Sequence, residues 1–171
     1  MVGDTASSSS GNRIIVGGGA GATVNSYGVY AQNQFDVVIA NNIINGADHP
    51  NAQYGISTDN QTGTSSVHIR NNQVDITGGS ATFGYAGIDN ASGVGASSDV
   101  NILNNSVTVS LPDGISNSSF VQAIKNTTPS SATVRSININ GNSVKSSNMR
   151  GASSTGSWTA ICLLYTSPSP R

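Results

Sequence analysis

The sequence predicts an all-β solenoid of short parallel strands, and three observations carry that prediction. One asparagine recurs as Asn12, Asn42, Asn72, Asn105 and Asn142, at spacings of 30, 30, 33 and 37 residues, a period typical of coil-upon-coil architectures. β-Branched residues stand at the same offsets around the copies. A further apolar run, Tyr-Gly-Val or a relative of it, recurs between them.

The strand before each asparagine comes first. Val37, Val67, Val100 and Ile137 stand five residues ahead of it, and Ile39, Ile69, Ile102 and Ile139 three ahead. This alternation buries one face of a strand, and the β-branched side chains suit a pleated surface. Next comes the asparagine pair, too short for a crossover helix and therefore a tight bend. Asparagine tolerates the left-handed backbone that such a bend needs. After it, Ile14, Ile44, Val74, Val107 and Val144 resume the alternation two residues on. Val16, Ile76 and Val109 follow four residues on, where the other copies have Gly46 and Ser146.

The third strand is the run Tyr27-Gly-Val-Tyr30, Tyr54-Gly-Ile-Ser57, Ala86-Gly-Ile-Asp89, Gln122-Ala-Ile-Lys125 and Thr159-Ala-Ile-Cys162. Its Val29, Ile56, Ile88, Ile124 and Ile161 are expected to point inward. No segment carries a convincing helical period. Three strands per repeat, stacked at about 4.8 Å per rung, make three parallel sheets around a narrow core. The asparagines then form a column that can hydrogen-bond along the axis.

The segments NNIING, NNQVDITGG, NNSVTV and NGNSV, with the Y-G-[IV] strands, resemble the right-handed parallel β-helix of the pectate-lyase-like superfamily. The resemblance covers residues 11–161 and implies about four to five coils. It also implies that Y-G-[IV] forms the first sheet, V-x-I the second, and the part after the asparagine pair the third. Residues 1–10 are expected to be disordered or an incomplete first coil. Residues 162–171, CLLYTSPSPR, break the repeat and resemble translated adapter sequence. They are expected to be a non-native or disordered tail, and the chain a fragment of a longer protein with more coils.

Composition narrows the function. Charged residues make up 9% of the 171 residues and the net charge is −1. No basic patch exists to neutralise phosphates, which argues against nucleic acid. No run of some 18 apolar residues is present, so no helical membrane span is expected in this segment. The first residues lack the basic and apolar regions of a signal peptide. Two isolated histidines, His49 beside Asp48 in an expected loop and His68 facing outward, do not make a zinc site. Five N-x-[ST] sequons, at Asn60, Asn90, Asn104, Asn117 and Asn126, bear on function only in a secreted eukaryotic protein.

In β-helix polysaccharide lyases and hydrolases the substrate groove follows the first sheet, so the resemblance directs attention there. Its outward column is expected to be Tyr30, Ser57, Asp89, Lys125 and Cys162. Asp89 and Lys125 are the catalytic candidates, a base and a cation on adjacent coils. A plain surface ion pair is the competing reading. The hydrolase signatures N-x-D, Asp-Asp and G-H-G are missing, and Arg70 and Arg135 fall near the second sheet. Tyr27, Tyr30, Tyr54 and Tyr85 are the glycan-binding candidates, since aromatic faces stack on sugars; packing beside Gly28, Gly55 and Gly87 competes. No cofactor is expected beyond a possible calcium ion held where Asp59, Asn60, Asp89 and Asn90 converge. Asn90 and Asn126 are otherwise inward ladder residues. Two functions follow as expectations: an extracellular or cell-surface adhesin-like protein with glycan partners, or part of a polysaccharide lyase or glycoside hydrolase whose catalytic coils lie elsewhere.

Overall fold

The computed structural model describes residues 11–17, 25–49, 51–59, 66–79, 82–91, 98–111, 118–128, 134–147 and 157–165. The chain enters through β1 (Arg13–Gly17). One turn follows of β2 (Ser26–Gln32), β3 (Val37–Ala40) and β4 (Ile43–His49). The next is β5 (Gln53–Asp59), β6 (Val67–Arg70) and β7 (Gln73–Gly78), then β8 (Tyr85–Ala91), β9 (Ser98–Leu103) and β10 (Ser106–Ser110). The last described turn is β11 (Phe120–Thr128), β12 (Val134–Asn140) and β13 (Ser143–Ser147), before β14 (Ser157–Tyr165).

Each strand hydrogen-bonds to its equivalent one coil away. The first sheet runs β2-β5-β8-β11-β14, the second β3-β6-β9-β12 and the third β1-β4-β7-β10-β13. Every pairing is parallel. The fold is a right-handed parallel β-helix. The expected assignment of the three runs to three sheets holds.

The register explains the core. Val37, Val67, Val100 and Ile137 pair in one column and Ile39, Ile69, Ile102 and Ile139 in the next. Ile44, Val74 and Val107 face them from the third sheet, and Ile56, Ile88 and Ile124 from the first; all six are fully buried. Each stack excludes water from β-branched surface along the axis, which is the main stabilising term. Ile161, on the last described strand, is exposed.

The two-residue corner between the second and third sheets divides its work. The first residue takes the left-handed backbone: Asn41 at φ 58°, Asn71 at 55°, Asn104 at 54° and Gly141 at 67°. Glycine can replace asparagine at Gly141 because it has no Cβ to clash, whereas asparagine tolerates the same backbone through its short, locally hydrogen-bonding side chain. The second residue builds the ladder. Asn12, Asn42, Asn72 and Asn105 each donate Nδ2 to the Oδ1 of the asparagine one coil on, at 3.1, 3.0, 2.9 and 3.0 Å. That same Oδ1 accepts the backbone N–H of the donating asparagine. The remaining Nδ2 hydrogens of Asn72, Asn105 and Asn142 go to the carbonyls of Ile39, Ile69 and Ile102. The expectation that the recurring asparagine itself supplies the bend is therefore corrected by one position. Its neighbour bends the chain because the ladder residue's side chain is committed to the axis.

A second ladder lies inside the first sheet. Thr58 donates Oγ1 to Asn90 Oδ1, and Asn90 donates Nδ2 to Asn126 Oδ1, each at 2.5 Å. All three are buried, as expected for Asn90 and Asn126. Two boundaries differ from expectation. β4 extends to His49, so Asp48-His49 ends a strand rather than lying in a loop. β14 runs past 161 to Tyr165, pairing Lys125–Thr128 with Cys162–Tyr165; ladder pairing uses main-chain groups and does not require the side-chain repeat to continue. Residues 1–10 and 166–171 lie outside the described residues.

Candidate functional site

The outer face of the first sheet gathers most of the residues with chemical potential. Its irregularity at one glycine makes the gathering possible. Strict alternation would put Tyr27 and Tyr30, three residues apart, on opposite faces. Instead the pairing of β2 with β5 skips Gly28, as it skips Gly55 and Gly87 further along. A Cβ at Gly28 would come within 2.4 Å of Ile44 Cγ2 and 2.6 Å of the Gly55 carbonyl oxygen. Gly28 and the buried Val29 both turn to the interior. Tyr30 is thereby returned to the face that Tyr27 occupies.

The rings then stack. Tyr27 and Tyr30 have centroids 4.8 Å apart and planes 28° apart. Tyr27 and Tyr54, paired across adjacent coils, are 5.1 Å and 11° apart. Tyr27 is 36% and Tyr30 47% exposed, and Tyr54 is half-buried. Burial raises the Tyr54 hydroxyl above its usual pKa, helped by the charge of Asp89 and by Tyr27. Three of the four tyrosines singled out in the sequence thus form one platform.

Tyr85 does not join it and is corrected here. It is fully buried and pairs with Gln53 and Val121, one position before the column of Tyr27 and Tyr54. One residue of offset turns a strand side chain to the other face. Its ring fills the space over Gly78, where a Cβ would come within 2.5 Å of the ring. Ala86 holds the place opposite Tyr54.

Beside the platform lies the column Tyr30, Ser57, Asp89, Lys125 and Cys162, in that register. Lys125 Nζ is 3.3 Å from Asp89 Oδ2, with the side chains 25% and 13% exposed. Burial pushes the Asp89 carboxyl upward, against the downward pull of Lys125. The Lys125 ammonium also sits 5.7 Å from the Phe120 ring centroid. The two catalytic candidates are brought together, but as an ion pair with a single carboxylate. Glycoside hydrolysis by the usual route needs two.

Two members of the calcium arrangement are turned apart. Asp89 faces outward and is paired with Lys125, while the next residue, Asn90, faces inward and is engaged with Thr58 and Asn126. Adjacent residues here lie on opposite faces, so Asp89 and Asn90 do not point toward one ion. Asn60 lies outside the described residues. Among the described residues no group of three or more His, Cys, Asp and Glu side chains is placed to hold a metal ion.

The sequence reading missed Phe35. It lies in the turn between β2 and β3 and is 64% exposed. Two non-glycine residues of this turn, Asn33 at φ 54° and Asp36 at φ 49°, take left-handed backbone. Asp36 Oδ1 accepts the backbone N–H of Ser66 at 3.0 Å, tying the turn to the next coil. A cleft of about 440 Å3 opens here, lined by Tyr30, Gln32, Phe35, Asp36 and Val38 among others. The platform and the cleft share Tyr30. The available signal was a lone phenylalanine between two strands.

Comparison with known proteins adds no relative: no protein-family description, curated protein or solved structure matches this chain.

Proposed function

We propose that this protein is a secreted or cell-surface β-helix, distantly akin to the pectate-lyase-like superfamily, that binds glycans without cleaving them. The observation that carries the reading is the aromatic platform of Tyr27, Tyr30 and Tyr54 on the outer face of the first sheet. Stacked tyrosines offer a large, rigid contact area at low entropic cost, with hydroxyls for hydrogen bonds at the rim. Sugar rings present an apolar face and a polar edge that complement both. The platform stands on parallel strands tied across the coils, so it is held in place before a ligand arrives. Low charge and abundant Ser, Thr and Asn support a surface role.

The test is calorimetric titration of the full chain against neutral and charged oligosaccharides and polysaccharides. Tyr27→Ala removes the ring that contacts both other tyrosines and is expected to weaken binding at least about tenfold, the loss of a stacked aromatic contact. Absence of binding to every glycan, or binding indifferent to Tyr27→Ala and Tyr30→Ala, would overturn the reading.

A second reading, part of a polysaccharide lyase or glycoside hydrolase, draws on Asp89. A carboxyl raised by burial beside a lysine resembles a general base with an electrostatic partner. Cleavage of a polysaccharide by this chain, lost in Asp89→Asn, is the result that favours it.

A further inference from the structure

From the placement of Asp59 at the edge of the tyrosine platform, we infer that the preferred ligand is a polymer of amino sugars carrying free ammonium groups. The inference rests on the glycan-binding reading above and narrows it to one class of sugar.

Asp59 ends β5 and pairs with Gln32 at the end of β2. Its carboxylate accepts Gln32 Nε2 at 3.4 Å, and burial, with the charge of Asp59 added, raises the Tyr30 hydroxyl above its usual pKa. It lies two residues beyond Ser57, the partner of Tyr30, which is about 7 Å along the strand at the usual rise. That is about the width of one sugar ring. A ring stacked on the face of Tyr30 therefore carries its edge substituents toward Asp59.

Charge selects among those substituents. On this face the described charged side chains are Asp59, Asp89 and Lys125, and Lys125 is engaged with Asp89 at 3.3 Å. The surface that meets the ligand is then the exposed ring of Tyr30 at the end of a stacked row, with a carboxylate at its rim. Tyrosine faces attract cations, and an ammonium at a carboxylate makes a charge-assisted hydrogen bond, about twice as strong as a neutral one. A neutral hydroxyl gains less. A uronate brings like charge toward Asp59 and Asp89 and is disfavoured. The reading therefore points away from acidic polysaccharides. The stacked row extends from Tyr30 through Tyr27 to Tyr54 on the next coil, so a ligand longer than one sugar meets further surface.

The experiment titrates the full chain with β-linked glucosamine oligomers, the same oligomers after complete N-acetylation, and galacturonate oligomers of equal length. N-acetylation removes the charge and leaves the ring faces in place. The expected result is binding of the free amine roughly tenfold tighter than of the acetylated oligomer, with a preference that weakens as salt is raised. Asp59→Asn is expected to bring the ratio of the two affinities close to one. Equal affinity for amine and N-acetyl forms overturns this inference and leaves the glycan-binding reading standing. Failure of every oligomer to bind overturns the inference and leaves the glycan-binding reading to the wider titration described above. Polylysine binding as tightly as the amino sugar, per charge, also overturns the inference, because the rings would then contribute no recognition of a sugar. The comparison of ligands on the unaltered protein keeps the test decisive should Asp59→Asn fold poorly.

Discussion

Two regions of this molecule obey opposite rules. At the corner between the second and third sheets three successive coils repeat the same device: a left-handed residue, then an asparagine donating along the axis. On the outer face of the first sheet only Tyr27 and Tyr54 match between neighbouring coils among the residues described, and the adjacent column reads Tyr30, Ser57, Asp89, Lys125. The ladder residues Asn42, Asn72 and Asn105 are buried and hydrogen-bonded on both sides, so their identity is dictated by the coils above and below. The outer face meets solvent, and its side chains are free to differ without disturbing the stack. Where identity is dictated, the chain builds scaffold. Where it is released, recognition can be placed.

The largest effect should come from breaking the dictated side. Asn72→Ala deprives Asn42 of the acceptor for two donors and removes the Asn72 amide from the Ile39 and Arg70 carbonyls, the latter keeping the Asn41 N–H. Several buried polar groups lose partners together, and the cost should reach about 3–4 kcal/mol, read as a shift in the denaturant midpoint. Equal tolerance of alanine at Asn72 and at the exposed Asn12 would show that the ladder is not what distinguishes the corner. A smaller effect is expected on the released side. Lys125→Met leaves the mostly buried Asp89 charge uncompensated and should cost about 1–2 kcal/mol, between the values for exposed and buried pairs. Adding Asp89→Asn to Lys125→Met should recover most of it.

Smaller still, and separating bend from ladder, Asn71→Ala should cost about 1 kcal/mol because alanine resists φ near 55°. Asn71→Gly should change stability by only a few tenths of a kcal/mol, since Gly141 fills the same place in the last corner. The smallest difference concerns pH. Burial raises the Asp89 carboxyl, so the folded state holds that proton more tightly than the unfolded chain does. Its contribution to stability is complete below the unfolded pKa and is lost as pH rises through the folded one. Asp89→Asn should remove that downward slope from the wild-type profile, measured as the difference between the two melting curves across the carboxylate range.

The corner was legible in the sequence because its constraint acts at every coil, and recurrence is visible without a structure. Three sheets, the inward Val and Ile columns, and the pairing of Asp89 with Lys125 followed from the same register. The face of Tyr85 was harder to read, because tyrosine serves in a core or on a surface equally well. Yet the run Ala86-Gly-Ile already placed alanine, not Tyr85, opposite Tyr54. Which of Asn71 and Asn72 bends and which bonds was hidden because two adjacent asparagines look alike on paper. Their roles separate only when the side chains are aimed. The turn carrying Phe35 had no repeat to announce it.

The asparagine column has one more consequence, which concerns direction. Every linking amide points its nitrogen toward the following coil and its oxygen toward the preceding one. The side-chain dipoles are thus aligned head to tail, each polarising the next. Turning a single amide around would set oxygen against oxygen on one side and nitrogen against nitrogen on the other. No amide can reverse alone, and the row behaves as a single vector. It gives a stack of nearly equivalent coils an electrical polarity, so that its two ends are chemically unlike.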